Sequence, residues 1–134
     1  MAVKGIHHVG VAVDDVSGAI EAYTRLFGAE LEHREELADQ GVDTASLRVG
    51  SDRIELLGAL AGGSPVGRFL ANRGAGLHHL AFEVEDVADE LARLANEGAE
   101  LIDERPRRGV AGTTVAFVHP HATGGVLAEL VSVG

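Results

Sequence analysis

The chain repeats itself, and the repeat limits what it can fold into. Residues 6–31, "IHHVGVAVDDVSGAIEAYTRLFGAEL", align with residues 77–101, "LHHLAFEVEDVADELARLANEGAEL", after a one-residue gap. His7 and His8 fall on His78 and His79, and Asp15-Val16 falls on Asp86-Val87. Gly28-Ala29-Glu30-Leu31 falls on Gly98-Ala99-Glu100-Leu101. Further on, "RIELL" (53–57) matches "LAELV" (127–131), so Glu55 falls on Glu129. One such match is within reach of chance; the whole set in one order points to duplication.

Each half reads as a strand of alternating apolar residues, 6–13 or 77–84. A capping aspartate follows, Asp14 or Asp15 in the first half and Asp86 in the second. An amphipathic helix then ends near Gly28 or Gly98, each suited to a left-handed C-cap. Strands are predicted at 30–36, 42–49 and 52–58, and at 100–104, 113–118 and 125–132. "SPVGRFLANR" in the connection reads as a short helix with proline in its first turn. The fold class is therefore α+β: two β-α-β-β-β modules in tandem forming a cupped mixed sheet. The modules span 4–60 and 76–133, with a linker at 61–75. One half has too little core to stand alone, so the 134 residues make one domain.

Strand alternation assigns faces. His7, Val9, Val11 and Val13 share one face; His8, Gly10 and Ala12 share the other. His78, Leu80, Phe82 and Val84 lie together, opposite His79 and Ala81. The large apolar face should pack on the helix, which points His8 and His79 into the cup and leaves His7 and His78 structural. Glu55 lies between Ile54 and Leu56, and Glu129 between Ala128 and Leu130. A carboxylate in an apolar strand is costly to bury unpaired, and a metal or a cavity relieves that cost. A lone strand histidine or glutamate is ordinarily structural, but the repeat makes these four positions depend on one another. His8, Glu55, His79 and Glu129 thus form a candidate 2-His-2-carboxylate site. Nitrogen and oxygen donors without sulfur favour one divalent ion such as Co, Mn, Ni, Fe or Zn. Four ligands on an octahedral ion leave two positions for a chelating substrate.

Composition narrows the partners. Twenty-one acidic residues against eleven basic ones give a net charge of −10, which argues against nucleic acid or an anionic membrane. No stretch approaches the ~20 apolar residues of a bilayer span. The absence of cysteine rules out disulfides and thiolate metal sites but leaves the compartment undecided; without a signal-like N-terminus, a cytoplasmic protein is expected. The densest basic cluster is "RPRRG" at 105–109.

These residues carry a resemblance. The paired modules with a His-Glu-His-Glu set resemble the vicinal-oxygen-chelate superfamily. Within it the chain is similar to the methylmalonyl-CoA epimerases along nearly its whole length. The specific stretches are "SPVGRFLANRGAGLHHLAFEVEDV" (64–87), "DERPRRG" (103–109) and "VAFVHPHATGGVLAELV" (115–131). "IHHVGVAV", "DQGV" (39–42) and "IELL" (54–57) add to them. The resemblance implies interconversion of (2R)- and (2S)-methylmalonyl-CoA by proton exchange at C2, through a metal-stabilised enolate. It places the metal ligands at His8, Glu55, His79 and Glu129, and it implies an acyl-CoA substrate and a homodimer.

Epimerisation needs a base on one face of C2 and an acid on the other. Some members carry a second glutamate two residues after "QGV", where this chain has Thr44. A threonine hydroxyl is a poor base, so Glu129 is the base candidate and its partner is left open. Gln40 is expected to border the pocket and His121 to lie near its entrance. Gly124 and Gly125 allow a tight turn or a close approach of the thioester. Arg107 and Arg108 are candidates for CoA phosphates or for a solvated surface pair. The rival readings are a glyoxalase-type isomerase and a metal-free small-molecule binding protein of the same fold.

Overall fold

A computed structural model describes residues 3–134. The first half runs β1 (Val3–Ala12), α1 (Val16–Phe27), β2 (Glu30–Leu37), β3 (Val42–Val49) and β4 (Asp52–Ala59). Helix α2 (Pro65–Arg73) occupies the connection. The second half runs β5 (Gly76–Val84), α3 (Val87–Asn96), β6 (Arg107–Arg108), β7 (Thr114–Val118) and β8 (Leu127–Ser132). The expected β-α-β-β-β order therefore appears twice.

Local chemistry accounts for the boundaries. Asp15, rather than Asp14, caps α1 by accepting from the Gly18 N–H at 3.0 Å. Asp86 caps α3 by accepting from the Asp89 N–H at the same distance. Ser64 caps α2 with Pro65 in the first turn. Helix α1 stops at Gly28, whose φ of 69° is left-handed, and Gly98 follows the α3 cap with φ 83°.

The residues divide into two compact units, and the boundaries cut between His7 and His8 and between His78 and His79. Each histidine doublet is thus split between units. In the unit His8–His78 the strand order is β2-β3-β4-β1. β3 is antiparallel to both β2 and β4, whereas β1 runs parallel to β4. Its core joins Val16, Ala29, Ala45, Leu47 and Leu56 to Val11, Val13, Ile20 and Tyr23. The large face of β1 therefore packs with α1, as alternation predicts.

The other unit holds the residues from His79 onward together with the chain up to His7. Lys4 reaches Glu83 at 3.9 Å and Glu85 at 3.3 Å within it. Its strand order is β5-β8-β7-β6, with β5 parallel to β8. Val84, Val87, Leu91, Ala116, Val118, Ala128 and Leu130 form its core, with Phe82 and Leu94 against it.

One expected strand does not form. Residues 100–104 reduce to a single bridge between Leu101 and Val118. The Phe117 carbonyl accepts from both the Ile102 and Asp103 N–H groups, and the Asp103 carboxylate accepts from the Phe117 N–H at 2.8 Å. A side chain thereby replaces the next rung of the ladder, and Pro106 has no N–H to offer. Pairing with β7 is taken over by Arg107 and Arg108.

Leu56 is fully buried against α1. Leu56→Ala is expected to lower the free energy of unfolding by ~2–5 kcal/mol, and Asp86→Ala by ~1 kcal/mol. Guanidinium denaturation read by circular dichroism measures both.

Candidate active site

The site begins with the face of each half-sheet that the helices leave uncovered. In the first unit Gly10 lies in register with Glu55, and Ser46 lies on the other side of Glu55. Paired residues share a face, and residues two apart along a strand share it too. His8, Gly10, Ala12, Glu55, Leu57, Ser46 and Thr44 consequently line one face, while Ile54, Leu56, Ala45 and Leu47 go to the α1 side. His8 is 5% exposed and Glu55 8%. His8 Nε2 stands 3.6 Å from Glu55 Oε2.

The second unit has the same construction. Ala81 lies in register with Glu129, and Phe117 lies on the other side of it. His79, Ala81, Glu129, Val115, Phe117 and Val131 line this face, while Ala128 and Leu130 join the α3 core. His79 is 3% exposed and Glu129 7%. His79 Nε2 is 3.3 Å from Glu129 Oε1, and its ring meets Phe117 edge-on with centroids 5.9 Å apart.

Each unit thus supplies one buried imidazole beside one buried carboxylate. Charge-assisted hydrogen bonds close to about 2.7–2.9 Å, and both pairs are wider. Two ligands about 2.0–2.2 Å from a common ion stand roughly 3.0–3.5 Å apart at ordinary bond angles. Hard nitrogen and oxygen donors at this spacing fit a divalent cation. His78 has a different setting: it meets the Phe69 ring of α2 edge-on, with centroids 4.8 Å apart.

The remaining predicted residues fall into distinct environments. Thr44 is 1% exposed and donates its hydroxyl to the Glu35 carbonyl at 2.9 Å. It lies on the site face, in register with Leu57, and its hydroxyl faces the backbone of β2. Gln40 sits in the turn between β2 and β3, its N–H donating to the Leu37 carbonyl. Arg107 lies in register with Val115, and so on the site face. Its guanidinium is 5.3 Å from the Phe117 ring centroid and 3.3 Å from Asp103. Arg108 pairs with Thr114 and takes the opposite face.

His121 is exposed in a short 3-10 turn, Pro120–Thr123, and pairs with Glu100 at 3.2 Å. Gly124 and Gly125 have φ of 77° and 117°, and a Cβ added at either meets nothing within 4 Å. The turn's backbone geometry, not crowding, accounts for both glycines. Two further residues on the first unit's site face went unnoticed in the sequence. Glu35 lies in register with Thr44 and His33 with Ser46. A register shift between Leu31 and His33 resets the alternation of β2, so simple counting along this strand misplaces them.

With this geometry in hand, residues 7–117 match the Glyoxalase/Bleomycin resistance protein/Dioxygenase superfamily, and the chain belongs to it. The ethylmalonyl-CoA/methylmalonyl-CoA epimerase of Cereibacter sphaeroides is 36% identical over 130 residues, which are 96% of this chain and 97% of that one. The crystal structure of methylmalonyl-CoA epimerase from Mycobacterium tuberculosis is 40% identical, with a TM-score of 0.95 over 99% of this chain and 90% of that one. A variant of the Streptomyces coelicolor methylmalonyl-CoA epimerase, solved with 2-nitronate-propionyl-CoA, is 35% identical with a TM-score of 0.94, over 98% of each chain. Within the superfamily the chain is a member of the methylmalonyl-CoA epimerase family.

Because Gly125 sits at a φ that L-residues avoid, Gly125→Ala is expected to destabilise the β8 approach by about 1–3 kcal/mol. Gly76→Ala, where no positive φ is required and nothing lies within 4 Å, is its control. Thermal melts of the two variants side by side give the comparison.

Proposed function

We propose that the chain is a divalent-metal-dependent epimerase that interconverts (2R)- and (2S)-methylmalonyl-CoA by proton exchange at C2. The observation that carries this reading is the duplicated buried His–Glu pair on the helix-free face of each unit. Family membership supplies the reaction class. In this reading His8, Glu55, His79 and Glu129 together hold one cation. When bound, that cation supplies Lewis acidity toward the charge that develops on the thioester oxygen.

The protein's own residues do the rest. The proton at C2 lies between a thioester and a carboxylate and is only weakly acidic, so a positioned base is needed. A carboxylate has two oxygens. Glu129 can ligate through Oε1, the atom beside His79, and take the C2 proton through Oε2. Ala81 opposite Glu129 and Gly10 opposite Glu55 leave space above the carboxylates. The Phe117 ring packs edge-on against the His79 imidazole. Arg107, on this face and steadied by Phe117 and Asp103, is suited to an anionic group of the acyl-CoA ester. Gln40 and His121 border the substrate path in the same reading, with the Gly124–Gly125 turn beside it. No helix among the described residues is long and apolar enough to cross a membrane. The working form in this reading is a cytoplasmic homodimer, which light scattering on the purified chain tests.

His79→Ala is expected to lose bound metal, read by plasma mass spectrometry, and epimerisation together. His78→Ala should keep both and lose stability through the Phe69 contact. A metal-replete, active His79→Ala protein would contradict the ligand assignment. Glu129→Gln is expected to abolish deuterium uptake at C2 in heavy water, and unchanged uptake sinks the base role. Turnover of the methylglyoxal–glutathione adduct without exchange of methylmalonyl-CoA would favour the glyoxalase-type reading instead.

A further inference from the structure

We propose that Glu100, His119 and His121 form a second divalent-cation site, suited to an ion such as zinc, on the surface of the unit that runs from His79 onward. One candidate ligand atom from each residue lies within 4.8 Å of the other two.

Backbone bonds bring the three residues together. After α3 the chain meets β7 at the Leu101–Val118 bridge. One residue out from that bridge, the His119 N–H donates to the Glu100 carbonyl at 3.1 Å, so Glu100 is held beside His119. Pro120 then fixes φ in the first turn of the Pro120–Thr123 helix. The Ala122 N–H closes back on the His119 carbonyl at 3.0 Å, and the Gly125 N–H on the Pro120 carbonyl at 2.8 Å. The two imidazoles of this turn are thereby brought face to face, with ring centroids 4.2 Å apart and planes at 49°.

The Glu100 carboxylate divides between the two rings. Its Oε1 is 3.2 Å from His121 Nδ1, and its Oε2 is 3.6 Å from His119 Nε2. Ligands about 2.0–2.2 Å from one ion stand roughly 3.0–3.5 Å apart, so both spacings need little adjustment. The Glu100 and His121 side chains are 57% and 77% exposed, which leaves them room to make it. Two imidazole nitrogens and one carboxylate oxygen suit zinc and its neighbours, whereas calcium and magnesium take oxygen ligands. Three protein ligands leave a fourth tetrahedral position to water.

Binding rearranges one proton. His119 Nδ1 accepts from the His121 N–H at 3.1 Å, which puts the proton of the neutral ring on Nε2, the atom facing Glu100. An ion at Nε2 moves that proton to Nδ1, and the His121 N–H turns to water, which reaches this exposed turn. The loss is one hydrogen bond whose net worth in an exposed turn is modest. His121 ligates through Nδ1 with its own proton on Nε2. The bound ion would tie the segment after α3 to the turn that leads into β8, and it shares no residue with the His79–Glu129 pair.

The test dialyses the full chain against zinc chloride and counts bound zinc by plasma mass spectrometry. The wild type is expected to hold one equivalent more than His121→Ala. Glu100→Gln, which keeps the side chain's shape, should weaken that equivalent by more than about 10-fold, since even partners outside the ligand shell have effects of that size. Zinc should also raise the melting temperature of the wild type more than that of either variant. Glu97→Gln removes a neighbouring exposed acid outside the cluster and should match the wild type in both readouts. Should Glu100→Gln fold poorly, His121→Ala carries the test, because its side chain is mostly in solvent. Equal zinc content in the wild type, Glu100→Gln and His121→Ala overturns the site. An equal loss from Glu97→Gln overturns it too, by showing zinc held loosely on an acidic surface. Every variant keeps His8, Glu55, His79 and Glu129, so zinc at those residues cancels in each difference. A chain without epimerase activity would leave this result standing.

Discussion

The structure depends on placing a carboxylate in the middle of an apolar strand and keeping it there. Glu55 and Glu129 are each almost wholly buried and each flanked in sequence by core residues. An isolated buried carboxylate is driven toward its neutral form or out to water. The parallel register prevents escape: Glu55 is locked opposite Gly10, and Glu129 opposite Ala81. A slip of one residue would send the carboxylate into the helix core and Leu56 or Leu130 onto the site face. Burial of Leu56 and Leu130 therefore fixes the site as firmly as any direct contact to it. The histidines two residues before Gly10 and Ala81 then stand beside the carboxylates without further instruction.

Small residues at positions 10 and 81 have a second consequence. A side chain larger than alanine there would project over the carboxylate directly across the ladder. The repeat keeps glycine at one and alanine at the other, so both units offer an open floor beside a His–Glu pair. Asymmetry enters around that floor. The first unit surrounds it with Ser46, Thr44, Glu35 and His33, which are polar. The second surrounds it with Val115, Phe117 and Val131.

Much of this was legible in the sequence, for a physical reason. β1, β4, β5 and β8 each have one face against a helix, so large and small residues alternate and the period of two is plain. The histidine and glutamate faces could be read from that contrast alone. The α3 cap was plain as well, but the first half offered both Asp14 and Asp15, and the bond from the Gly18 N–H to Asp15 decides between them. β2 offered no such contrast. "ELEHREEL" carries charge on both faces because it is an edge strand, and the shift between Leu31 and His33 breaks the count. Glu35 and His33 were hidden by that shift. The missing strand at 100–104 has a similar origin. Its alternation is strand-like, but the Asp103 side chain outcompetes the ladder for the Phe117 N–H.

Thr44 ties β3 to the edge strand beside it. Its hydroxyl donates to the backbone of β2, at the carbonyl of Glu35 across from it. That bond pins Glu35 in register beside it, on the site face and within reach of His33. An edge strand is paired along one side only, so a side-chain bond to its backbone adds to its attachment. The Thr44 hydroxyl, on a side chain that is itself 1% exposed, makes such a bond at 2.9 Å.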